Sequence, residues 1–364
     1  MSLTFGIVGL PLSGKTTIFN LLTHSQADTS KYFSGKTESN LATAFVPDSR
    51  IDYLSRYYQP KKTVYAQIEC TDVAGLVRGS SEGKGVGNSF LSTIRDVDGL
   101  VFVIRVFDDS TIEHSDGSID PMRDWETIEM ELLIADLEAV ERNIAKITSG
   151  KKITKENAII LSALEKCLIA LSDGKSVHTV GLTEEERYLL RGFSFFTDKP
   201  YMIVINQDEG ELNGPVAKGV SDVLKKAEKQ SIPVVNLCAK VEAEIDTLDD
   251  SDKQVFLEEM GIDEPGINKL AQAAYQLLGL ISFFTVGEDE VKAWTIKKGT
   301  NAKQAAGKIH SDIEKGFIRA EVFHFDMLKQ WGSPVKVKEQ GGFRLEGKEY
   351  IVQDGDIINF RFNV

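Results

Sequence analysis

Eight residues near the N-terminus have the types and spacing of a loop that binds the phosphates of a nucleotide. They read Gly-Leu-Pro-Leu-Ser-Gly-Lys-Thr over positions 9–16 and fit the pattern G-x-x-x-x-G-K-[ST]. In such a loop, backbone N–H groups at a helix N-terminus face the phosphates, the lysine reaches the β- and γ-phosphates, and the last hydroxyl binds Mg²⁺. The apolar run at residues 5–8 and the helical pattern at 17–22 favour this interpretation over an ordinary glycine turn that caps a helix. We therefore predict nucleotide contacts, with a catalytic role for the lysine as well, from Leu12, Ser13, Gly14, Lys15, Thr16 and Thr17.

A second polar element follows the apolar run at residues 66–70. Asp-Val-Ala-Gly at 72–75 fits D-x-x-G, in which the carboxylate holds a magnesium-bound water and the glycine amide meets the γ-phosphate. We therefore predict that Thr16 and Asp72 hold Mg²⁺ and that Gly75 contacts the nucleotide. The next residue is Leu76, where many GTPases carry a glutamine that orients the attacking water. Because leucine cannot polarise water, hydrolysis must use a group from elsewhere or be slow.

His114 is the leading candidate for that group. It lies in the polar segment 108–120, after the apolar run at residues 100–106. An imidazole titrates near neutral pH and can therefore act as a general base. The alternative is a solvated loop histidine without a catalytic role, and the local sequence by itself favours that alternative.

Two further segments have the spacing of loops that recognise the base. Asn-Gln-Asp-Glu at 206–209 stands where the guanine-binding motif N-K-x-D belongs, with a glutamate in place of the aspartate. The longer carboxylate cannot keep the bidentate contact to guanine without moving the base, so the preference for guanine should weaken. Cys-Ala-Lys at 238–240 matches the S-A-K loop that packs against the base. We therefore predict a nucleotide site with a weakened preference for guanine, and base-site contacts from Asn206, Glu209, Cys238, Ala239 and Lys240.

The alternation of apolar runs with helical patterns predicts the elements that position these residues. Strands followed by helices indicate βαβ units and a doubly wound parallel sheet of the α/β class. Apolar residues at spacings of three and four over 133–147 and 161–171 predict an antiparallel helical hairpin inserted into that domain. Short strand patterns, including one at 350–352, around a helical pattern at 302–314 indicate a small C-terminal α+β module. The predicted boundaries are 1–123 and 199–279 for the nucleotide-binding domain, 124–198 for the helical insertion and 280–364 for the module.

Composition restricts the class of partner. The 364 residues carry a formal net charge of -13, whereas a general nucleic-acid-binding surface needs clustered Lys and Arg, so we expect no strong general nucleic-acid binding. The three cysteines are scattered without a C-x-x-C pair, which is typical of proteins in a reducing cytosol. The apolar runs are too short to span a membrane, and the N-terminus lacks the pattern of a signal peptide. We expect a cytoplasmic protein without a membrane partner.

These elements together resemble the Obg-like ATPase (YchF) family of P-loop proteins over nearly the whole chain. The resemblance includes the modified N-x-x-E element at 206–209, the run Cys-Ala-Lys-Val-Glu-Ala-Glu-Ile at 238–245, Asp-Pro at 120–121 and the segments 344–348 and 352–364. It implies a GTPase-like nucleotide domain, a coiled-coil insertion and a C-terminal TGS domain of β-grasp form. It also implies slow hydrolysis of ATP in preference to GTP, and association with the ribosome or ribosome-bound factors in translation or stress responses. His114 matches the loop histidine that the family proposes for catalysis, so the resemblance shifts the balance toward a catalytic role.

The chain departs from the family pattern at two places. Leu12 and Ser13 stand where the family loop has Asn-Val, and the asparagine is the residue associated with potassium-assisted hydrolysis in related enzymes. The first switch segment, 31–40, is also altered, so that Thr37 is the nearest counterpart of the family's Mg²⁺-binding threonine. Both changes suggest a divergent paralogue. A nucleotide-gated binding module with negligible hydrolysis therefore stays open as a third reading beside the ATPase and the GTPase.

Overall fold

The computed structural model describes residues 3–25, 40–73, 76, 87–150, 154–212, 214, 217 and 219–363. Contacts along the chain divide it into two compact units. The first unit comprises Met1–Ala42 and Glu69–Leu270, and the second comprises Thr43–Ile68 and Ala271–Val364. Thr37 and Gly75, two of the predicted site residues, lie outside the described residues.

The described ranges contain twelve strands and fourteen α-helices. The strands are β1 (Thr4–Val8), β2 (Asn40–Val46), β3 (Lys62–Val64), β4 (Ala66–Asp72), β5 (Gly99–Arg105), β6 (Tyr201–Asn206), β7 (Val234–Leu237), β8 (Leu280–Val286), β9 (Glu290–Lys297), β10 (Phe317–His324), β11 (Arg344–Glu346) and β12 (Asp356–Phe362). The helices are α1 (Lys15–Thr23), α2 (Ser49–Tyr58), α3 (Gly87–Arg95), α4 (Pro121–Thr148), α5 (Lys155–Ser172), α6 (Glu184–Leu190), α7 (Val220–Lys229), α8 (Ala239–Thr247), α9 (Asp250–Met260), α10 (Gly266–Leu277), α11 (Ala302–Ile309), α12 (Ser311–Lys315), α13 (Phe325–Trp331) and α14 (Pro334–Glu339).

The first unit is built on a six-stranded sheet with the order β2-β4-β1-β5-β6-β7. β1 pairs in parallel with β4 and β5, and β6 pairs in parallel with β5 and β7. Every residue of β5 is buried, as expected for a central parallel strand covered on both faces. The parallel sheet predicted from the apolar runs is confirmed. Its strands end at the loops that carry the predicted site residues, because the carboxyl ends of parallel strands meet at one edge.

The helical segment between β5 and β6 also agrees with the sequence pattern. α4 and α5 pack together through an apolar cluster that includes Val140, Leu164 and Leu171. Asp120 caps α4 by accepting a hydrogen bond from the Arg123 N–H, and Thr183 and Glu186 form a capping box at the start of α6. No helix within the described ranges is both long and apolar enough to span a membrane.

Asp136 is a buried carboxylate that joins α4 to the segment before β6. It accepts hydrogen bonds from the Phe196 N–H at 2.9 Å and from the N–H and hydroxyl of Thr197, both at 2.8 Å. Burial raises the pKa of Asp136 to about 6, although these three donors oppose the shift. The folded chain therefore binds a proton at this site more tightly than the unfolded chain does.

We expect the stability that Asp136 contributes to depend on pH. Because its pKa is raised on folding, the contribution is complete below the unfolded value of about 4 and is lost as the pH rises through about 6. Asp136→Asn does not titrate at this position. Relative to that variant, the free energy of unfolding of the wild type should increase by roughly 1 kcal/mol as the pH falls from 7.5 to 5, or by a few degrees in melting temperature. Thermal melts of both proteins at the two pH values measure this difference. A constant difference between them would contradict the assignment.

The second unit contains a six-stranded mixed sheet with the order β11-β10-β12-β8-β9-β3. β8 pairs antiparallel with β9 and parallel with β12, and β10 pairs antiparallel with β12. The helical pattern at 302–314 forms two helices, α11 and α12, and the predicted strand at 350–352 forms only an isolated bridge between Ile351 and Asn301. The β-grasp character of this unit is consistent with the strand order, and its assignment as a TGS domain stays a prediction.

Residues 43–68 belong to the second unit, although the sequence boundaries place them in the nucleotide-binding domain. The reason is pairing with distant residues. β3 forms a parallel ladder with β9, and Tyr53 of α2 packs edge-on against Phe325 at 5.4 Å between ring centroids. No local pattern in residues 43–68 reveals these partners. The predicted domain boundaries stay a prediction, and the contacts within the chain group residues 43–68 differently.

Candidate nucleotide-binding site

The predicted phosphate loop connects β1 to α1, and its backbone has the conformation that such a loop requires. Gly14 has a φ of 95°, which glycine adopts without steric cost. A Cβ at Gly14 would overlap the side-chain amide of Asn206, and a Cβ at Gly9 would lie 2.5 Å from the Val103 carbonyl oxygen. Leu12 also has a positive φ, of 60°, which is uncommon for a residue with a branched side chain. The two glycines of the motif are thus required by close packing.

Lys15 is the first residue of α1, and its side chain turns back over the loop. The Nζ atom donates a hydrogen bond to the Leu10 carbonyl at 2.8 Å. Burial lowers the pKa of Lys15 to about 8, and the charge of Asp72 opposes that shift. A buried ammonium group held beside a helix N-terminus is suited to bind an anion such as a nucleotide phosphate.

Thr16 and Asp72 are brought together at the ends of α1 and β4. The Thr16 hydroxyl donates to the Asp72 Oδ2 atom at 2.9 Å, while Oδ1 is buried without a hydrogen-bond partner among the described residues. Burial raises the pKa of Asp72, and Thr16 and Lys15 oppose the shift. A hydroxyl and a carboxylate with an unsatisfied oxygen are the hard oxygen donors that Mg²⁺ prefers, so these residues fit the predicted ion.

Asn206 joins the phosphate loop to the second predicted base loop. Its Nδ2 atom donates to the Ser13 carbonyl at 3.0 Å, and its Oδ1 atom accepts from the Ala239 N–H at 3.0 Å. Asn206 is buried, so in this structure its side chain braces the two loops. The sequence predicted a nucleotide contact, which no observation here tests.

The other predicted base-site residues lie after the last two strands of this sheet, Glu209 after β6 and Cys238 and Lys240 after β7. Glu209 is exposed at the start of the short 3₁₀ helix Glu209–Glu211. The neighbouring Asp208 accepts a hydrogen bond from the Asp108 N–H at 2.9 Å. Cys238 is buried directly before α8, and Lys240 in the first turn of α8 is exposed. Glu209 and Lys240 are thus the exposed charged side chains among the predicted base-site residues.

His114 is buried, so the alternative of a solvated loop histidine does not describe its surroundings. Its Nε2 atom is 2.8 Å from the Asp124 Oδ2 atom, and its Nδ1 atom accepts from the Asp116 N–H at 3.1 Å. Burial raises the pKa of Asp124, while Arg123 and His114 oppose the shift. Within the described part of the chain, no hydrogen bond joins His114 to residues 9–16.

Two further buried residues belong to this picture, and the sequence patterns had missed the second. The Leu76 side chain is fully buried, and its N–H donates to the Gly9 carbonyl at 3.1 Å. Arg105, at the end of β5, is also buried and donates to the Ile112 and Phe107 carbonyls at 2.9 and 3.2 Å. Arg105 thereby holds the loop that leads to His114. The signal for it was a lone charged residue inside an otherwise apolar run.

A phosphate loop after the first strand, a carboxylate at the end of the neighbouring parallel strand, and a brace between the loop and the last strands define a P-loop nucleoside triphosphatase of the GTPase-like fold. Two family models match: "50S ribosome-binding GTPase" over residues 4–136, and YchF-GTPase_C, described as "Protein of unknown function (DUF933)", over 280–363. The chain belongs to the YchF family. It is 44% identical over 366 residues to the ribosome-binding ATPase YchF of Bacillus subtilis and 42% identical to that of Escherichia coli O157:H7, with each chain covered completely.

A solved structure agrees with this membership. The YchF GTPase of Schizosaccharomyces pombe superposes with a TM-score of 0.85 at 31% sequence identity, and the match covers 99% of this chain and 98% of that one. The resemblance inferred from the motifs is therefore confirmed, and so is the fold class.

Proposed function

We propose that this chain binds ATP in preference to GTP, with Mg²⁺, and hydrolyses it slowly as a nucleotide-dependent switch. The single observation that carries the proposal is that Asn206 bonds to both the phosphate loop and the start of α8. The loop that begins at Asn206 has a glutamate at position 209, where guanine-binding proteins have an aspartate. The printed names of the relatives, ribosome-binding ATPases, support the choice of ATP.

Each residue of the site has a distinct task in this proposal. Lys15 neutralises the β- and γ-phosphates, and the N–H groups of residues 13–17 bind their oxygens. Thr16 and Asp72 would hold Mg²⁺, which neutralises charge that develops on the phosphates. Leu76 is buried and offers no polar group to water, which supports slow turnover. His114 is the proposed general base, once its Nδ1 atom is free of the Asp116 N–H.

We also propose association with the ribosome or with a ribosome-bound factor. The B. subtilis and E. coli relatives are named ribosome-binding, and the N-terminal family model is described as a 50S ribosome-binding GTPase. Co-sedimentation of the purified chain with ribosomes, in the presence of ATP, of ADP and of neither, tests the association and its dependence on nucleotide. Failure to co-sediment under all three conditions would remove this part of the proposal.

We expect titration of the nucleotide-free protein with ATP and GTP in Mg²⁺ to give tighter binding of ATP. Lys15→Ala should weaken ATP binding at least about 100-fold, because the buried ammonium group is the main positive charge at the phosphates. Lys225→Ala, which removes a largely exposed lysine on α7 outside the predicted site, is the matched control and should leave ATP binding unchanged.

The two alternatives predict different results in the same experiments. Tighter binding of GTP would mean that Glu209 acts as the usual aspartate does, and the GTPase reading would replace this one. ATP binding without any hydrolysis in a single-turnover assay would favour the nucleotide-gated binding module. The observation that favours this last alternative is the buried Leu76, which offers no polar group to orient the attacking water.

A further inference from the structure

A double ion pair in the second unit holds α2 to the turn before β12. The Arg50 guanidinium contacts Asp48 through Nε at 2.9 Å and Nη2 at 2.8 Å, and it contacts Asp354 through Nη1 at 2.8 Å and Nη2 at 3.2 Å. The guanidinium also lies 5.2 Å from the centroid of the Phe284 ring. Burial alone would lower the pKa of Arg50, but the two carboxylates outweigh it and raise the pKa above the ordinary value. Arg50 is thus a fixed charge with two anionic partners.

The turn that receives Arg50 is shaped around the guanidinium. Asp354 Oδ1 accepts a second hydrogen bond from the Ser282 N–H at 2.9 Å, and the Asp354 carbonyl is 2.9 Å from the His324 Nε2 atom. Gly355 has a φ of 90°, and a Cβ there would lie 3.1 Å from both Arg50 Nη1 and His324 Nε2. The contact therefore ties α2 to the starts of β8 and β12 and to the end of β10.

The segment that this contact anchors leads directly to the candidate metal site. The chain passes from the first unit to the second within β2, at Ala42, and returns within β4, at Glu69. β4 is one uninterrupted strand, and its last residue is Asp72, the carboxylate bonded to the Thr16 hydroxyl. Inside the second unit the same segment is fixed again by β3 pairing with β9 and by a hydrogen bond from Thr63 to Ser55 at 2.8 Å. β4 is regular over all seven residues and pairs with β1 from Glu69 to Asp72, so its register fixes the place of Asp72.

We propose that Arg50 and Asp354 are positioning residues for the metal-binding carboxylate Asp72, acting along β4 although neither lies at the nucleotide site. This inference rests on the proposed function. It assigns to the ion pair a coupling between the second unit and the Mg²⁺-dependent part of nucleotide binding. By thermodynamic linkage, Mg-nucleotide must in turn stabilise the anchored α2.

The first test compares the affinity for ATP in Mg²⁺ with the affinity in EDTA. For Arg50→Ala and Asp354→Ala we expect the gain in affinity that Mg²⁺ provides to fall about fivefold, with the affinity in EDTA unchanged. The double variant should be no worse than either single variant, because the two residues act as one pair. Arg50→Lys and Asp354→Asn, which keep part of the contact, provide the measurement if an alanine variant does not fold.

Lys61→Ala is the matched control. Lys61 lies in the same anchored segment and pairs with Asp289 at 2.7 Å, but both side chains are more than 80% exposed. Such an exposed pair contributes little to stability, so the gain in ATP affinity that Mg²⁺ provides should stay at the wild-type value. Equal weakening with and without Mg²⁺ in the Arg50 variants, an unchanged Mg²⁺ gain or additive effects in the double variant would each overturn the inference and leave a merely structural ion pair.

Hydrogen exchange gives an independent readout. In the wild type, amides of α2 should exchange more slowly after addition of ATP and Mg²⁺, and this protection should be lost in Arg50→Ala. Unchanged exchange in the wild type at saturating nucleotide would overturn the coupling while leaving the proposed function intact. A wild-type chain that binds no nucleotide would overturn both.

Discussion

Gly14→Ala should weaken nucleotide binding about a hundredfold while leaving the chain folded. The new methyl group would overlap the Asn206 side-chain amide, and the φ of 95° would be strained for alanine. Strain of about 1–2 kcal/mol and loss of the buried Asn206–Ser13 hydrogen bond at about 1–3 kcal/mol together make roughly 3 kcal/mol, or about a hundredfold in affinity. Calorimetric titration with Mg-ATP measures the effect directly.

Gly174→Ala is the control for backbone strain. Gly174 has a φ of 73° in the helical insertion, and no atom lies within 4 Å of the Cβ position, so the variant carries a similar strain without the overlap. It should bind Mg-ATP as the wild type does. If Gly14→Ala also kept wild-type affinity, the contact between Asn206 and the phosphate loop would not be needed for binding, and the brace would lose its role in the proposal.

The sequence predicted the first unit well because its signals are local. The apolar runs of β1, β4 and β5 lie next to the loops that they position, so strand, motif and helix follow one another within a few residues. The capping box of α6 is local in the same sense. By contrast, the assignment of residues 43–68 to the second unit depends on contacts with distant residues. β3 pairs with a strand more than 200 residues away, and no pattern in three residues specifies such a partner.

The environment of His114 could not be predicted for a related reason. The segment 108–120 is polar, which favours an exposed loop, yet buried Arg105 donates to the Ile112 carbonyl and Asp124 of α4 binds the imidazole. A polar loop is buried when enough distant partners satisfy its hydrogen bonds, and the sequence does not reveal which residues those are. Asn206 is a similar case: its motif indicates a base contact, which stays a prediction, whereas its bonds to the Ser13 carbonyl and the Ala239 N–H depend on distant residues.

His114→Ala should lower the rate of single-turnover ATP hydrolysis about 100-fold, the lower end of the range for a lost general base, with the affinity for ATP unchanged. The physical basis is the buried Leu76, which leaves the reaction without a side chain to polarise water at that position. In the structure described here both ring nitrogens are occupied, so the imidazole must leave the Asp116 N–H before it can accept a proton. Rapid-quench measurement with a single equivalent of nucleotide reports the rate.

Asp124→Asn distinguishes catalysis from packing at this site. The amide can still accept the Nε2–H hydrogen bond but no longer stabilises a protonated imidazole, so hydrolysis should slow while the melting temperature stays close to that of the wild type. If instead His114→Ala left the hydrolysis rate unchanged and lowered only the melting temperature, His114 would be a structural partner of Asp124. The base would then have to come from another residue or from a bound partner, and the chain on its own would act chiefly as a nucleotide-gated binding module.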